Sequence, residues 1–301
     1  MLQTEFVPYA GDQWYLHRQQ DEAGKYFWQV AQQGHNRNLS KDITRQGVYA
    51  ATADGKFLGS LNHSGSPERN LEMMRTALQR FRKFEPQAVR IERDSPQDAR
   101  YVRTPPKEGL VLNVFSRIPL PVPSGEAWSP NQTTGRDHLW LTAEEKQSLL
   151  PTTWQNGLRY PVPPAIAERF IRFHLVDNIR GEPDYWERDH LRQSEMTLTV
   201  VDAAKKILRW EGFAQMQRAK TQGAEVRLQG ILRYDSKARH FTQFDILSWG
   251  TAWGEGTYTG GAPQGRFPLV IALSLAGNRA VDRIPPQASR TVSEYFTAAR
   301  P

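Results

Sequence analysis

Residues Glu225–Gly250 read "EVRLQGILRYDSKARHFTQFDILSWG". Val226, Leu228, Gly230, Leu232 and Tyr234 share one parity, and Glu225, Arg227, Gln229, Ile231 and Arg233 share the other. A period of two is what a strand needs when one face is buried and the other is wet. The interruption "DSKAR" carries turn chemistry, because an aspartate side chain can bond its own backbone two residues on. The stretch therefore predicts two antiparallel strands joined by a hairpin. "MTLTVVDAAKKILRWEGFAQM" (196–216) repeats the pattern with "DAAKK" as its turn, and "FPLVIALSLAG" (267–277) adds a further strand. Together they predict an antiparallel meander of about four or five strands with one mostly polar face, packed on a helix. That helix is expected from "VPPAIAERFIRFHLVDN" (162–178), where prolines mark the start and Ile166, Phe170 and Phe173 share a side.

Between about residues 85 and 165 the chain changes character. Ten of the 20 prolines fall from Pro105 to Pro164, which works against long helices and central strands. "GLVLNVFSR" (109–117) still reads as a strand. "LTAEEKQSLLP" (141–151) reads as a short helix with Thr142 as N-cap and Glu145 completing a capping box. A linker is expected at 85–105, followed by packed loops that bury Trp128, Trp140 and Trp154.

Upstream, "GVYAATADGKFLGSL" (47–61) is a hairpin turning at Asp54-Gly55. "HSGSPERNLEMMRTALQRFRK" (63–83) is a helix with Ser66 as N-cap and Pro67 at its first position. Leu71, Met74, Leu78 and Phe81 form its apolar stripe. "EFVPYA" (5–10) reads as a short strand and "EAGKYFWQVAQQG" (22–34) as a short helix. On this hairpin and helix, residues 1–84 resemble the back half of a thioredoxin-like domain. The Cys-x-x-Cys motif and the proline before the hairpin are missing, and the front βαβ half would have to precede Met1. The resemblance thus implies a scaffold without redox chemistry and carries over no catalytic residue. The "RFHLVDN" (172–178) and "YDSKA" (234–238) patterns are similar to those of uncharacterised bacterial proteins, which implies a shared fold and no activity. The expected fold class is α+β: a partial thioredoxin-like α/β unit over 1–84, then, over 106–301, a curled antiparallel sheet packed on the helix at 164–176.

The chain has 301 residues, a net charge of +7 and no cysteine, so disulfides, thiolate metal sites and thiol nucleophiles are excluded. The basic excess does not form the cation track that a phosphate backbone requires. Its densest cluster, Arg75, Arg80, Arg82 and Lys83, sits at a helix end where cations suit the macrodipole. Nucleic acid is therefore not the expected partner. No apolar run reaches the ~18 residues of a membrane span. "MLQTEFVPYAGD" (1–12) has no signal-peptide pattern, which leaves the compartment open: exported if a leader has been removed, cytoplasmic otherwise. No cofactor is expected.

Three stretches could carry function. "FHLVDNIRGEPDYWERDH" (173–190) places His174 and Asp177 one helical turn apart, with Asp184, Glu187, Asp189 and His190 after Gly181 and Pro183. His174, Asp177 and His190 could serve a hydrolase, with or without a metal, as base, orienter and ligand. Their spacing matches no metal motif, so no metal ligand is assigned. The plainer reading is a helix end followed by a short helix capped by Asp184. "SWGTAWGEGTYTGGAPQGRF" (248–267) combines six glycines with Trp249, Trp253 and Tyr258. Its aromatics could stack on a carbohydrate, or simply close the end of the sheet. The wet strand face offers Arg209, Glu211, Arg227, Gln229, Arg233 and Asp245, of which Arg227 and Arg233 are the candidate ligand contacts. The favoured reading is a non-catalytic binding or structural protein whose partner is a small molecule, a glycan or another protein.

Overall fold

The computed structural model describes residues 1–38, 40, 43, 45–62, 66–85, 87, 98, 104–121, 133–291 and 295–296. Trp128 and most of the expected linker lie outside the described residues. The chain divides into two compact units, Met1–Arg103 and Thr104–Pro301.

In the first unit, helices α1 (Leu2–Glu5), α2 (Gln13–Leu16) and α3 (Glu22–Ala31) precede the hairpin β1 (Val48–Ala51) and β2 (Phe57–Leu61) and the helix α4 (Pro67–Phe81). The strand expected over 5–10 is absent. Leu2–Glu5 is helical instead, and Val7 and Tyr9 stand exposed with no strand to pair with. The caps follow the sequence. Asp21 accepts from Gly24 N at the start of α3, and Ser66 accepts from Arg69 N at the start of α4. The buried side of α4 is not the expected stripe. Leu71 and Phe81 are exposed, and Ala77 packs with Met73 against Ala50 and Leu58 of the hairpin. The reason is close approach: Gly59 of β2 presents no side chain, so the small Ala77 and the adaptable Met73 face the hairpin better than larger residues would.

The second unit is one eight-stranded antiparallel sheet in the order β4-β3-β10-β9-β8-β7-β6-β5. Its strands are β3 (Leu110–Arg117), β4 (Gly135–Leu141), β5 (Arg159–Pro161), β6 (Leu191–Asp202), β7 (Ile207–Arg218), β8 (Gln222–Asp235), β9 (His240–Trp253) and β10 (Arg266–Leu275). The five from β6 to β10 form a meander, each pairing with the next in sequence. Its turns behave as read: Asp202 accepts from Lys205 N, and Asp235 accepts from Lys237 N and Ala238 N. Between β4 and β5 lies α5 (Ala143–Ser148), with the Thr142–Glu145 capping box in place. The central helix runs as α6 (Pro164–Arg169) and then widens to a π-turn over Phe170–His174.

Eight strands at ~4.8 Å would make a flat sheet ~34 Å wide, far wider than the ~10 Å diameter of one helix. Yet one short helix touches both flanks: Arg169 donates to Trp140 O of the edge strand β4, and Phe170 meets Trp210 of β7, five places along the sheet. The sheet therefore curls around the helix. Phe170 stacks on the fully buried Trp210 of β7, ring centroids 5.0 Å apart. Trp140 is also buried, and Trp154 packs at the margin of the same core.

Curling leaves two edges with unpaired backbone groups. At one, β5 is only three residues long and ends in Pro161, which cannot donate a ladder bond. At the other, side chains plug β4. Trp140 N donates to the Tyr295 hydroxyl, and Trp140 O accepts from Arg169 Nη1.

Candidate binding face

Each histidine and acid of the 173–190 stretch is held by its own partners. His174 is 1% exposed. Its Nε2 lies 2.9 Å from the Tyr295 hydroxyl, and its Nδ1 lies 3.3 Å from Asp137 Oδ2, too poorly aligned for a hydrogen bond. Asp137 in turn accepts from Gln287 N. Asp177 instead holds Arg180 Nε at 2.8 Å, and His190 Nδ1 accepts from Glu187 N. Asp184 caps no helix; a 3-10 turn at Arg188–His190, entered from Glu187, leads straight into β6. Among the described residues, no group of three or more His, Asp or Glu side chains is placed to hold a metal ion.

The buried cations are equally occupied. Arg169 makes a two-point ion pair with Glu145 at 2.5 Å and donates to Tyr295 O and Trp140 O. Arg172 donates to Trp186 O, Glu168 and Glu187. This cluster seals the β4 edge and ties helix, sheet and C-terminal segment together. Tyr295 has its hydroxyl pushed far above the usual phenol range by burial. Burial also holds the His138 imidazole below its ordinary value, opposed by Asp137 and Asp282.

The glycine-rich stretch does meet the 173–190 stretch. Arg180 donates to the carbonyls of Thr259 and Gly254, and Asp184 accepts from Thr257 N at 2.8 Å and pairs with Arg218 at 3.0 Å. Gly181 permits the contact, since a Cβ there would collide with the Tyr258 carbonyl. The space left inside, between Arg180, Trp186 and Trp253, is about 30 Å³, room for little more than one water. The junction is a filled joint.

The outer side of the sheet is different. Trp249 and Trp253 belong to β9 itself and not to the loop, because the alternation runs on to the strand's end. Tyr258 alone sits in the loop, 69% exposed. Trp249 is 39% and Leu247 46% exposed on this outer face. Register fixes their neighbours. One cross-strand row runs Glu195, Phe213, Arg227, Trp249, Val270 and Arg117 across six strands. The next row runs Gln229, Leu247, Ala272, Phe115 and Arg136. Residues directly opposite on an antiparallel pair project to the same face. Phe213, Trp249, Val270, Leu247, Ala272 and Phe115 therefore form one partly exposed apolar patch.

Its charges are unevenly satisfied. Every acid around the patch has a partner: Glu195 with Arg159, Glu211 with Arg209, Glu225 with Arg266, and Asp245 with Gln243. Arg233 is likewise held by Gln243. Among the described residues Arg117, Arg136 and Arg227 face no carboxylate, and Arg136 only lies over the Phe115 ring at 5.8 Å. Trp253 continues the face. Its ring lies across Gly223, where a Cβ would clash, under the Arg266 guanidinium at 4.1 Å. Beside it opens a cleft of about 600 Å³ bordered by Gln215, Lys220 and Arg266.

The chain matches no protein-family model, no curated protein and no solved structure. No described helix is long and apolar enough to cross a membrane. Sequence reading had Trp249 and Arg227 as separate candidates. It missed Phe115, Phe213, Arg117 and Arg136, because they join the patch only through the pairing register. The one signal available was that Leu247 and Trp249 fall on the wet parity of their strand.

Proposed function

We propose that this is a non-catalytic binding protein whose ligand surface is the outer face of the second unit, centred on Trp249 and Arg227. One observation carries the reading: a partly exposed apolar patch lies on paired strands, flanked by three arginines that meet no carboxylate among the described residues. Contiguous exposed apolar surface with a polar rim is the mark of a contact surface, and Trp and Arg are the residues that dominate binding energy. The partner that suits it is a protein surface bearing apolar side chains among carboxylates.

A second reading is carbohydrate binding. Trp249 and Trp253 lie on the same face four residues apart, ~14 Å along the strand, and flat aromatic rings suit the faces of sugars. The hydrolase reading asks His174, Asp177 and His190 to share one centre; their separate partners favour the binding reading over it. We keep the thioredoxin-like origin of the first unit as part of the proposal, supported by its hairpin and flanking helices.

The test is a binding panel of neutral glycans, acidic glycans and acidic peptides carrying aromatic residues. Affinities are compared between the wild-type chain and the Trp249→Ala and Arg227→Ala variants. At least one class should bind, with a loss of ~10-fold or more in each variant. Binding that neither substitution changes would contradict the proposal.

A further inference from the structure

The first unit carries a separate open cleft of about 460 Å³ between the turn after α3, strand β2 and one face of α4. Its charge is lopsided. Arg37, Arg69 and Arg80 border it against a single carboxylate, Glu72, and among the described residues none of the three arginines is in an ion pair. Arg80 is aimed by a 2.7 Å bond from Nη1 to the Leu58 carbonyl, which leaves most of its other N–H groups unused.

The wall opposite α4 is fixed. His35 N donates to Ser60 Oγ at 2.9 Å, the His35 Nδ1 lies 2.9 Å from the same oxygen, and Nε2 lies 2.9 Å from Gln46 O. A carbonyl only accepts, so in the neutral ring Nε2 carries the hydrogen and Nδ1 accepts from the Ser60 hydroxyl. The imidazole also stacks on Tyr49, centroids 5.2 Å apart.

The register of α4 against β2 gives the cleft two poles. Arg80 meets Leu58, and Met73 covers Gly59. Arg69 therefore lies toward Leu61, at the end where His35 meets Ser60 and Arg37 follows. Arg69 and Arg80 are eleven residues apart on one helix, ~16 Å along its axis, and their long side chains can close much of that distance. Two cationic poles with Met73 between them suit an elongated polyanion, since planar guanidinium groups bind phosphate oxygens in pairs.

We propose that this cleft binds a small molecule bearing a polyphosphate group, with one end held at Arg37 and Arg69 and the other at Arg80. The test uses the full chain and three probes: inorganic phosphate, pyrophosphate and tripolyphosphate, followed by calorimetry and by the NMR signals of the His35 ring. Affinity should rise along that series, with tripolyphosphate binding more tightly than about 1 mM and shifting the His35 resonances. Arg69→Ala and Arg80→Ala should each weaken tripolyphosphate by about 10-fold. A variant with Arg117, Arg136 and Arg227 all changed to alanine should bind tripolyphosphate as the wild type does. Equal affinity for all three probes, unmoved His35 signals, or a loss confined to that last variant would overturn the assignment. All the substituted side chains are exposed, and a melting curve of each variant separates lost binding from lost fold.

Discussion

The second unit uses arginine in two ways, and the contrast separates the enclosed scaffold from the face proposed for binding. Arg169 and Arg172, under the curled sheet, each spend at least three hydrogen bonds on carbonyls and carboxylates. Arg117, Arg136 and Arg227, on its outer face, meet no carboxylate among the described residues. The histidines and acids divide in the same manner. His174 and Asp137 are enclosed, while the surface acids neutralise other surface cations. A dense cluster of ionisable residues is therefore a poor guide to function here. The proposed site rests instead on donor capacity left unused beside exposed apolar area.

The largest effect should come from the enclosed side. Arg169→Ala would strip the β4 edge of its cap and leave Glu145 unpaired, at a cost of about 3–5 kcal/mol. For a unit of this size that lowers the melting temperature by roughly 10 °C, and a change of one or two degrees would break the comparison. Tyr295→Phe is expected to be milder. It removes the hydroxyl that accepts from Trp140 N and faces His174, worth about 1–3 kcal/mol, read from urea midpoints at pH 7.

A smaller effect follows from His138. Burial lowers its folded pKa beneath its unfolded value, so the unfolded chain takes up the proton first as pH falls. Its contribution is complete above the unfolded value, near 6.5. It is lost as pH drops through that value toward the folded one. Urea midpoints should fall between pH 7 and pH 5, and His138→Gln should flatten that slope. An unchanged slope would place the sensitivity elsewhere. The smallest effect on stability is expected on the outer face, where Trp249→Ala and Arg227→Ala should each stay within about 0.5–1 kcal/mol of wild type.

Much of the architecture was legible from local pattern. The alternation in Glu225–Gly250, the "DSKAR" turn, the Thr142–Glu145 capping box and the Ser66 cap all reappear in place. These depend on neighbours a few residues apart, which a sequence displays directly. The strand expected at 5–10 failed because a short extended pattern holds only when another strand pairs with it. The stripe on α4 failed because the partner hairpin, through Gly59, selected Ala77 and Met73 instead. The roles of His174 and Arg169 were unreadable for a related reason. Their decisive partner, Tyr295, lies more than a hundred residues downstream. The proposed binding face was half visible: Trp249 and Arg227 could be picked out singly, but only register shows that they are opposite one another.

The account is tested most directly by measuring melting temperature and ligand affinity together for two arginine variants, one from each side of the sheet. Arg169→Ala should melt roughly 10 °C low and keep its affinity wherever it remains folded. Arg227→Ala should melt as the wild type does and lose ~10-fold in affinity. If Arg227→Ala instead lost stability and kept its ligand, the outer face would be scaffold and the proposed division of labour would be wrong.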